Sequence, residues 1–154
     1  MIFNNLQINN SNSYVIYNSA GQMMMHYKAV LFGDYQISKK ILVEVNQKRI
    51  ADLGRNIINF SDKIWDDHKT RIVHYVNKYK FMTSSFLRDH LLSTKGKILV
   101  KATQDDCIWG VGLSKDDPKL KEYENWKGTN LLGELLTTLR IGIEQDKIDF
   151  ILKA

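Results

Sequence analysis

A carboxylate, a tryptophan and two glycines lie close together in the segment from Asp105 to Leu113. Asp106 precedes Trp109 by three residues, and Gly110 and Gly112 allow the backbone there to bend sharply. A carboxylate beside an aromatic face on such a backbone could hold a flat base or a sugar by stacking and hydrogen bonding. The same residues could instead form a structural turn, in which Asp106 caps the backbone before a core tryptophan. From these residues alone both interpretations are equally supported.

Motifs for metal or nucleotide-cofactor chemistry are missing from the sequence. The four histidines form no His-Glu-x-x-His motif, and the single cysteine, Cys107, has no thiol partner. No Gly-x-Gly-x-x-Gly or Walker motif occurs, and Gly110-Val111-Gly112 is too short to replace one. We therefore expect no metal site and no cofactor, and we expect Cys107 to be a buried structural residue.

The charge balance is basic, with 22 Lys and Arg against 17 Asp and Glu and a formal net charge of +5. Such an excess is compatible with anionic partners such as nucleotides, nucleic acid or phosphorylated sugars. The lysines are scattered and often sit beside acids, as in Lys115-Asp116-Asp117, which favours a generally solvated surface over a dedicated nucleic-acid face. Residues 1–33 contain no Asp or Glu, so no catalytic carboxylate can come from that part of the chain.

Length and composition bound the class of protein. The 154 residues, 44% of them hydrophobic and 25% charged, are typical of a globular chain, and we assign residues 1–154 to one domain. The longest apolar stretches are about five residues, far below the ~20 needed to cross a membrane. The segment Met1–Asn5 lacks the basic and apolar blocks of a secretory signal. With one cysteine, which fits a reducing compartment, we expect a cytoplasmic protein with no membrane partner.

Hydrophobic periodicity predicts an α+β chain in which helices dominate and strands are few and short. We expect strands at Tyr14–Tyr17 and Ile98–Val100 and an extended or turning segment at Cys107–Leu113. Apolar spacing predicts five helices. Three are expected at Met23–Phe32, at 41–53 with a stop at Gly54, and from Ser61 to Tyr79. A fourth should follow a cap at Thr83, and the fifth is expected at Leu131–Ile143 with a start at Thr129 or Asn130. Residues 114–125 are polar and long enough to form a lid over a site.

Five short motifs occur in an order that carries more information than any one of them. The first three are Leu53-Gly54-Arg55, then Trp65 with Arg71-Ile72-Val73, then Lys80-Phe81 followed by Leu91-Leu92 and Thr94. The last two are Leu99-Val100 with Asp106, Trp109-Gly110 and Gly112, and Trp126 with Gly128, Asn130-Leu131-Leu132-Gly133 and Arg140. In this order and spacing they resemble the motifs of the NADAR family, whose members have a YbiA-like fold. The resemblance covers about residues 19–145.

The resemblance implies a hydrolase, an N-glycosidase that cleaves the N-ribosyl bond of ADP-ribosylated guanine or of phosphorylated intermediates of riboflavin synthesis. The implied partners are an ADP-ribose-like or phosphorylated ribosyl ligand and ADP-ribosylated DNA. Breaking a C1′–N bond develops positive charge on the ribose, which a carboxylate stabilises, while Arg and Lys hold phosphates. The implied site residues are Asp106 as the catalytic carboxylate, Trp65 and Trp109 as aromatic walls, Arg55 and Lys28 as phosphate contacts, and Asn130 as a hydroxyl or backbone anchor.

The chain departs from the family pattern at the catalytic glutamate. The family's helix begins Ser-x-Glu-Gln-Tyr-Met-Met-Tyr-Gln-Lys-Ala, and the glutamate position is Gly21 here, although Gln22 and Lys28 match. The family's Leu-Val-Glu also becomes Leu-Val-Lys, which ends at Lys101. Loss of one positioned acid or base typically lowers the rate by about 10²–10⁴. The alternatives are an enzyme, with His26 as a substitute acid–base group, a catalytically impaired module that binds ADP-ribose-like ligands, and a protein whose pocket has decayed.

Overall fold

The helices and strands of the computed structural model are assigned over residues 2–3 and 15–145, which are the residues that the structure describes. These residues fall into two units that divide after Thr83. The first unit contains strands β1 (Ile2–Phe3) and β2 (Val15–Ile16) and helices α1 (Ala20–Leu31), α2 (Tyr35–Val43), α3 (Gln47–Arg55) and α4 (Asp62–Met82). The second contains helices α5 (Ser85–Leu92) and α6 (Leu131–Glu144), with short 3₁₀ helices at Pro118–Lys121 and Tyr123–Asn125 between them.

The predicted fold class, α+β with dominant helices and a few short strands, is confirmed. The two strands pair antiparallel, with Ile2 opposite Ile16 and Phe3 opposite Val15. The strand expected at Tyr14–Tyr17 is therefore present at its centre, while Tyr14 lies outside the described residues. The assignment of residues 1–154 to one domain stays a prediction. No helix in the described part of the chain is both long and apolar enough to span a bilayer.

Helix α1 organises the first unit, because it packs against α2, α3 and α4. It begins three residues before the expected Met23, since the Ser19 hydroxyl accepts a hydrogen bond from the Gln22 amide at 3.0 Å and caps the helix. Two apolar clusters surround the helix. One comprises Tyr17, Met23, Val76 and Tyr79, and the other comprises Ala29, Phe32, Ile41, Ile50 and Ile57.

The single helix expected over residues 41–53 is wrong, because the chain forms two helices there. Helix α2 ends at Val43, and the Glu44 carboxylate then accepts hydrogen bonds from the amides of Val45 at 2.9 Å and Asn46 at 2.8 Å. The Asn46 side chain in turn caps α3 by accepting from the amides of its second and third following residues. These side-chain acceptors replace the next helical carbonyls, so the helix breaks despite continuous apolar spacing.

Gly54 was expected to end a helix, and it lies inside α3 instead. A Cβ at this position would lie only 2.3 Å from the Met25 sulfur, so a side chain there would displace Met25 from the contact between α1 and α3. Glycine at this position therefore allows a close helix–helix approach. It does not act as a helix stop.

The boundary between α4 and α5 also differs from the expectation. Ser61 caps α4 as predicted, but the helix continues three residues beyond Tyr79. Thr83 ends this helix, and its hydroxyl donates to the Tyr79 carbonyl at 2.8 Å. The cap of α5 is the next residue, Ser84, whose hydroxyl accepts from the Leu87 amide.

In the second unit, the strand expected at Ile98–Val100 is absent from the described residues. The segment is extended, but a side chain supplies the hydrogen-bond partners of its backbone. The Asn130 amide donates to the Leu99 carbonyl at 2.8 Å, and its oxygen accepts from the Lys101 amide at 3.0 Å. One asparagine thus takes the place of a neighbouring strand.

Helix α6 starts at Leu131, with Asn130 in the left-handed region at φ 52°. A Cβ on Gly133 would lie 2.1 Å from the Leu99 carbonyl oxygen, so only glycine permits this approach to the extended segment. Arg140 is buried and donates to the carbonyls of Thr94 and Lys97, which ties α6 to the turn after α5. The expected loop at 114–125 contains the two 3₁₀ helices, the first beginning at Pro118.

Candidate functional site

Gly21, which the family resemblance aligns with a glutamate, is the second residue of α1 and is exposed. Its φ lies outside the left-handed region, so a side chain is sterically acceptable to the backbone. A Cβ there would lie 3.3 Å from the Gln47 side-chain oxygen and 3.7 Å from the Ser19 hydroxyl. Ser19 donates a hydrogen bond to that same Gln47 oxygen at 2.9 Å. A Ser19–Gln47 pair therefore borders the place where a glutamate would begin.

Gln22, which matches the family pattern, is fully buried and has a structural role. Its side-chain nitrogen donates to the carbonyls of Ile41 and Glu44, both at 2.9 Å. Its oxygen accepts from the Asn18 amide at 2.6 Å. The side chain thus bonds carbonyls at the C-terminus of α2 and joins that end to α1.

His26, the substitute acid–base group of the sequence analysis, lies in the core with 6% of its surface exposed. Its Nδ1 is 2.6 Å from the Tyr17 hydroxyl oxygen, and its ring packs edge-on against Tyr27. Burial lowers the pKa of His26, which keeps the ring neutral. A ring held in this way has little access to a ligand, so the geometry favours a structural role for His26.

Lys28 occupies a cationic site with aromatic walls. Its ammonium donates to the Gly54 carbonyl at 2.9 Å and lies 4.3 Å from the Phe60 ring centroid and 5.4 Å from the Trp65 ring centroid. Burial lowers the pKa of Lys28, and the negative charge of Asp62 opposes that shift. An ammonium carries three N–H donors, and Gly54 takes one, so two remain for a ligand anion.

The two predicted groups on α1 share one face of the helix. Gly21, Met25 and Lys28 follow each other by four and three residues, a spacing that aligns side chains along a helix. Seven residues correspond to about 10 Å along the axis. The vacant acid position and the Lys28 site are therefore two turns apart on the same surface.

Arg55, the second expected phosphate contact, is exposed and already paired. Its guanidinium lies 2.5 Å from the carboxylate of Asp52, three residues earlier on α3. Exposed ion pairs of this kind contribute little to stability, about 0–1 kcal/mol, so a ligand phosphate could compete with Asp52 at small cost.

Asp106 sits at the centre of a tight turn in the second unit. One carboxylate oxygen accepts from the amides of Ile108 at 3.1 Å and Trp109 at 2.8 Å. The other accepts from the Lys101 ammonium at 2.5 Å. Partial burial acts to raise the pKa of Asp106, but the hydrogen bonds from Lys101 and from the Trp109 amide outweigh it and hold the pKa below its usual value. These contacts match the structural-turn interpretation of the motif, with a carboxylate that is ionised and charge-compensated.

The glycines of this motif serve the same turn. A Cβ on Gly110 would lie 2.7 Å from the Lys101 carbonyl oxygen and 2.9 Å from that of Asp106. Gly112 has φ +68° and faces the Cys107 sulfur. Cys107 itself is exposed, so its expected burial is wrong. Backbone carbonyls leave no space for a larger residue at position 110, and the side chains of Cys107 and Lys127 leave none at position 112.

Trp109 and Asn130 are both held near this turn by backbone contacts. The Trp109 side chain is half-buried, and its carbonyl accepts from the Leu132 amide at 3.1 Å. The Asn130 side chain is buried, and its amide nitrogen and amide oxygen both form hydrogen bonds with the backbone of the extended segment from Leu99 to Lys101. Of its two expected roles, a hydroxyl anchor and a backbone anchor, this geometry supports the second.

The predicted residues thus form two groups, one in each unit. The first unit brings together Lys28 and Trp65, with Gly21 on the same helix face, and the second brings together Asp106, Trp109 and Asn130. Sequence reasoning missed Phe60 and Gln47, which contact Lys28 and the Gly21 position respectively. An aromatic residue directly before the Ser61 helix cap was the available signal for Phe60. Within the described ranges, no cluster of three or more His, Cys, Asp or Glu could hold a metal ion.

Comparison with known proteins identifies the family. The NADAR domain model matches residues 2–144. The N-glycosidase R617 of Acanthamoeba polyphaga mimivirus is 41% identical over 131 residues, which cover 85% of this chain and 77% of that protein. The chloroplastic riboflavin biosynthesis protein PYRR of Arabidopsis thaliana is 33% identical over 110 residues, 69% of this chain but only 16% of the plant protein. The NMR structure of YbiA from E. coli superposes with a TM-score of 0.67 at 24% identity, covering 92% of this chain and 76% of YbiA, and confirms the YbiA-like fold. The chain belongs to the NADAR domain family.

Proposed function

We propose that this protein is an N-glycosidase that hydrolyses the N-ribosyl bond of a phosphorylated ribosyl compound. The compounds considered are ADP-ribosylated guanine, in a nucleotide or in DNA, and the phosphorylated intermediates of riboflavin synthesis. Support comes from the family and from the mimivirus relative, whose name is N-glycosidase. The observation that carries the proposal is the Lys28 ammonium within 4.3 Å of the Phe60 ring centroid and 5.4 Å of the Trp65 ring centroid.

The reaction adds water across the C1′–N bond. Water forms a bond to C1′ while the bond to nitrogen breaks, the base leaves with its electron pair, and one proton of the water goes to the base. Positive charge develops on the ribose in the transition state, and a nearby carboxylate lowers its energy. The enzyme therefore needs a phosphate site to hold the substrate and a carboxylate to assist the bond cleavage.

Lys28 supplies the phosphate site in this proposal. Its two remaining N–H donors can reach a phosphate oxygen, and the partly buried environment makes that attraction stronger than it would be in water. The aromatic faces of Phe60 and Trp65 beside it suit a ribose or a base that follows the phosphate. Arg55, next to Gly54 on the chain, adds a second cation once a ligand displaces Asp52.

The carboxylate is the weaker part of the proposed mechanism. Position 21 carries no side chain, and Asp106 has both oxygens engaged by Lys101 and by backbone amides. A carboxylate whose charge is compensated by an ammonium at 2.5 Å stabilises an oxocarbenium ion less than a free one. We therefore propose slow turnover.

The second candidate is a catalytically impaired module that captures ADP-ribose-like ligands without releasing the base. The observation that favours it is the pairing of Asp106 with Lys101 together with the empty position at Gly21. Both candidates retain the Lys28 site and both predict binding. They differ only in whether the base is released.

Calorimetric titration with ADP-ribose, run beside a base-release assay, tests both candidates. The substrates for release are ADP-ribosylated guanosine, ADP-ribosylated DNA and the phosphorylated riboflavin intermediates. Lys28→Met should weaken ADP-ribose binding by at least about tenfold, since a charge-assisted hydrogen bond contributes about 1.5–3 kcal/mol. Lys39→Met, on an exposed lysine of α2, is the matched control and should bind normally.

The outcomes separate the candidates. Base release that exceeds the uncatalysed rate supports the enzyme, and binding without release supports the module. No binding by the folded wild-type protein contradicts both and supports a decayed pocket.

A further inference from the structure

Four side-chain rings of the first unit form a continuous chain that runs from the core to solvent. The ring centroids of Tyr17 and His26 are 5.5 Å apart, and those of His26 and Tyr27 are 5.9 Å apart. The Tyr27 centroid lies 5.8 Å from that of Tyr75. Tyr17, at the inner end, is 3% exposed, and Tyr75, at the outer end, is 42% exposed. None of the four residues is among those that carry the family resemblance, and the proposed reaction uses none of them.

Tyr17 has a proton acceptor directly beside its phenol group. Its hydroxyl oxygen lies 2.6 Å from Nδ1 of His26. When the phenol donates this hydrogen bond, the neutral imidazole carries its own proton on Nε2. Burial raises the pKa of Tyr17, so the phenol does not lose its proton at neutral pH. The proton therefore leaves Tyr17 only if the phenol itself becomes a stronger acid.

Loss of one electron makes the phenol such an acid. An oxidised phenol is a much stronger acid than an imidazolium ion, so its proton moves to Nδ1 of His26 even though burial lowers the pKa of that ring. The products are a neutral phenoxyl radical on Tyr17 and an imidazolium on His26, which the same hydrogen bond still joins. Because the proton has an acceptor in place, Tyr17 is easier to oxidise than a phenol with no base beside it.

Tyr27 and Tyr75 connect this pair to the surface. Phenol rings can lose and regain an electron, and rings in contact exchange electrons over short distances. The imidazole of His26 bridges Tyr17 and Tyr27, and the Tyr27 and Tyr75 side chains share a hydrogen bond. An electron from the buried phenol can therefore reach the exposed edge of Tyr75 without crossing a space that lacks an aromatic ring.

We propose that Tyr17 and His26 form a reversible one-electron redox site, and that Tyr27 and Tyr75 carry its electron to a one-electron oxidant at the protein surface. In the forward step, one electron leaves Tyr17 and reduces the oxidant, and the phenolic O–H bond breaks as an N–H bond forms on His26. In the reverse step, a one-electron reductant supplies the electron, and the proton returns to the Tyr17 oxygen. The proposal concerns the first unit and does not depend on the proposed N-glycosidase activity.

Rapid mixing of the full chain with hexachloroiridate(IV), a one-electron oxidant, tests the proposal. Electron paramagnetic resonance should detect a tyrosyl radical that outlives those of exposed tyrosines, because the buried Tyr17 ring cannot couple to a second molecule. Ascorbate should remove the radical and return the unmodified protein, as mass spectrometry would show. Formation of the radical should be slower in D₂O than in H₂O, since a proton moves with the electron.

Substitutions along the ring chain assign the signal. Tyr17→Phe should lose the long-lived radical because it has no phenol, and His26→Gln should lose it because an amide is not a base. Tyr75→Phe, at an exposed position that leaves the core intact, should form the same radical more slowly, since it interrupts the path at its outer end. Tyr35→Phe, on an exposed tyrosine at the start of α2, is the matched control and should change neither the rate nor the lifetime.

Four results would overturn the proposal. They are a wild-type protein with no long-lived radical, a folded Tyr17→Phe variant that keeps one, a Tyr75→Phe variant oxidised at the wild-type rate, and nitrogen NMR shifts that place the His26 proton on Nδ1. The last result counts because a protonated Nδ1 cannot accept the phenolic proton. If the two core variants do not fold, Tyr75→Phe and the His26 tautomer decide the question. None of these measurements involves base release, so their failure is distinct from a failure of the proposed function.

Discussion

Placing a carboxylate at position 21 is the sharpest test of the proposed enzyme. Gly21 is helical and exposed at the second position of α1, so Gly21→Glu requires no unusual backbone conformation. Glycine in a helix costs about 0.5–1 kcal/mol relative to alanine, and an acid in the first turn gains about 0.3–1 kcal/mol from the helix dipole. The only described obstacle is the Gln47 oxygen, 3.3 Å from the new Cβ, which is the end of a flexible and exposed side chain.

The expected net effect on folding is therefore a stabilisation of about 1 kcal/mol, which corresponds to a rise in Tm of about 2–4 °C for a chain of this size. The expected effect on chemistry is larger. A positioned acid or base contributes at least about 10²-fold in rate, so base release by Gly21→Glu should rise by that factor. Gly21→Glu combined with Gln47→Ala removes the contact with Gln47 and should retain the gain.

Gly21→Gln is the matched control, because it has the same shape and helix propensity without the carboxylate. It should be nearly as stable as Gly21→Glu and should show no gain in base release. If both variants fold, bind ADP-ribose and release base at the wild-type rate, position 21 does not act in catalysis and the binding module becomes the better description. If both gain equally, the effect comes from the helix and not from the charge.

Three further substitutions test the remaining roles. Arg55→Ala should weaken a phosphorylated ligand by about 1.5–3 kcal/mol in calorimetry and its dephosphorylated counterpart hardly at all; equal losses would show that Arg55 acts on folding. Asp106→Asn should abolish residual base release and lower the free energy of unfolding by about 1 kcal/mol or less, since asparagine keeps the acceptor for both amides and loses only the Lys101 pair; release within about twofold of the wild type would remove Asp106 from the mechanism. Because burial lowers the pKa of His26, its contribution to stability is complete above the unfolded-state pKa of about 6.5 and decreases as the pH falls below it. Urea unfolding between about pH 7 and pH 5 should therefore show a larger loss for the wild type than for His26→Gln, and equal losses would contradict this account.

The sequence predicted the long helices because each buries a continuous apolar stripe. Helix α4 begins at the predicted Ser61 cap, and α6 begins directly after the predicted Asn130. The same periodicity fails over 41–53, where the side chains of Glu44 and Asn46 accept backbone amides and interrupt the helix. Periodicity measures which residues are buried, and it contains no information on such local competition for hydrogen bonds.

A second kind of prediction error arises where a residue's role depends on contacts with residues far away in the sequence. The segment at Ile98–Val100 has the composition of a strand, but no second strand pairs with it in the described residues. The Asn130 side chain makes the hydrogen bonds to its backbone that a neighbouring strand would make. Gly54 resembles a helix stop, but its role depends on the Met25 side chain. The Lys28 site shows the same limitation, since its Gly54 carbonyl and its Phe60 ring follow it by 26 and 32 residues. The family resemblance identified Lys28 and Trp65. Only the tertiary structure shows that the Gly54 carbonyl and the Phe60 ring also contact Lys28.

The two departures from the family pattern act in the same electrostatic direction. If the family resemblance aligns both positions with glutamates, Gly21 lacks a negative charge at the start of α1, and Lys101 places a positive charge against Asp106. Each change, taken by itself, would weaken the stabilisation of a positive charge close to it, and neither involves the Lys28 ammonium or the rings beside it. A substitution at Lys101 should therefore matter as much as one at Gly21. If the protein retains a latent hydrolytic mechanism, Lys101→Glu combined with Gly21→Glu should release base faster than either single variant. A module adapted only for binding should instead lose affinity for the anionic ligand and gain no turnover.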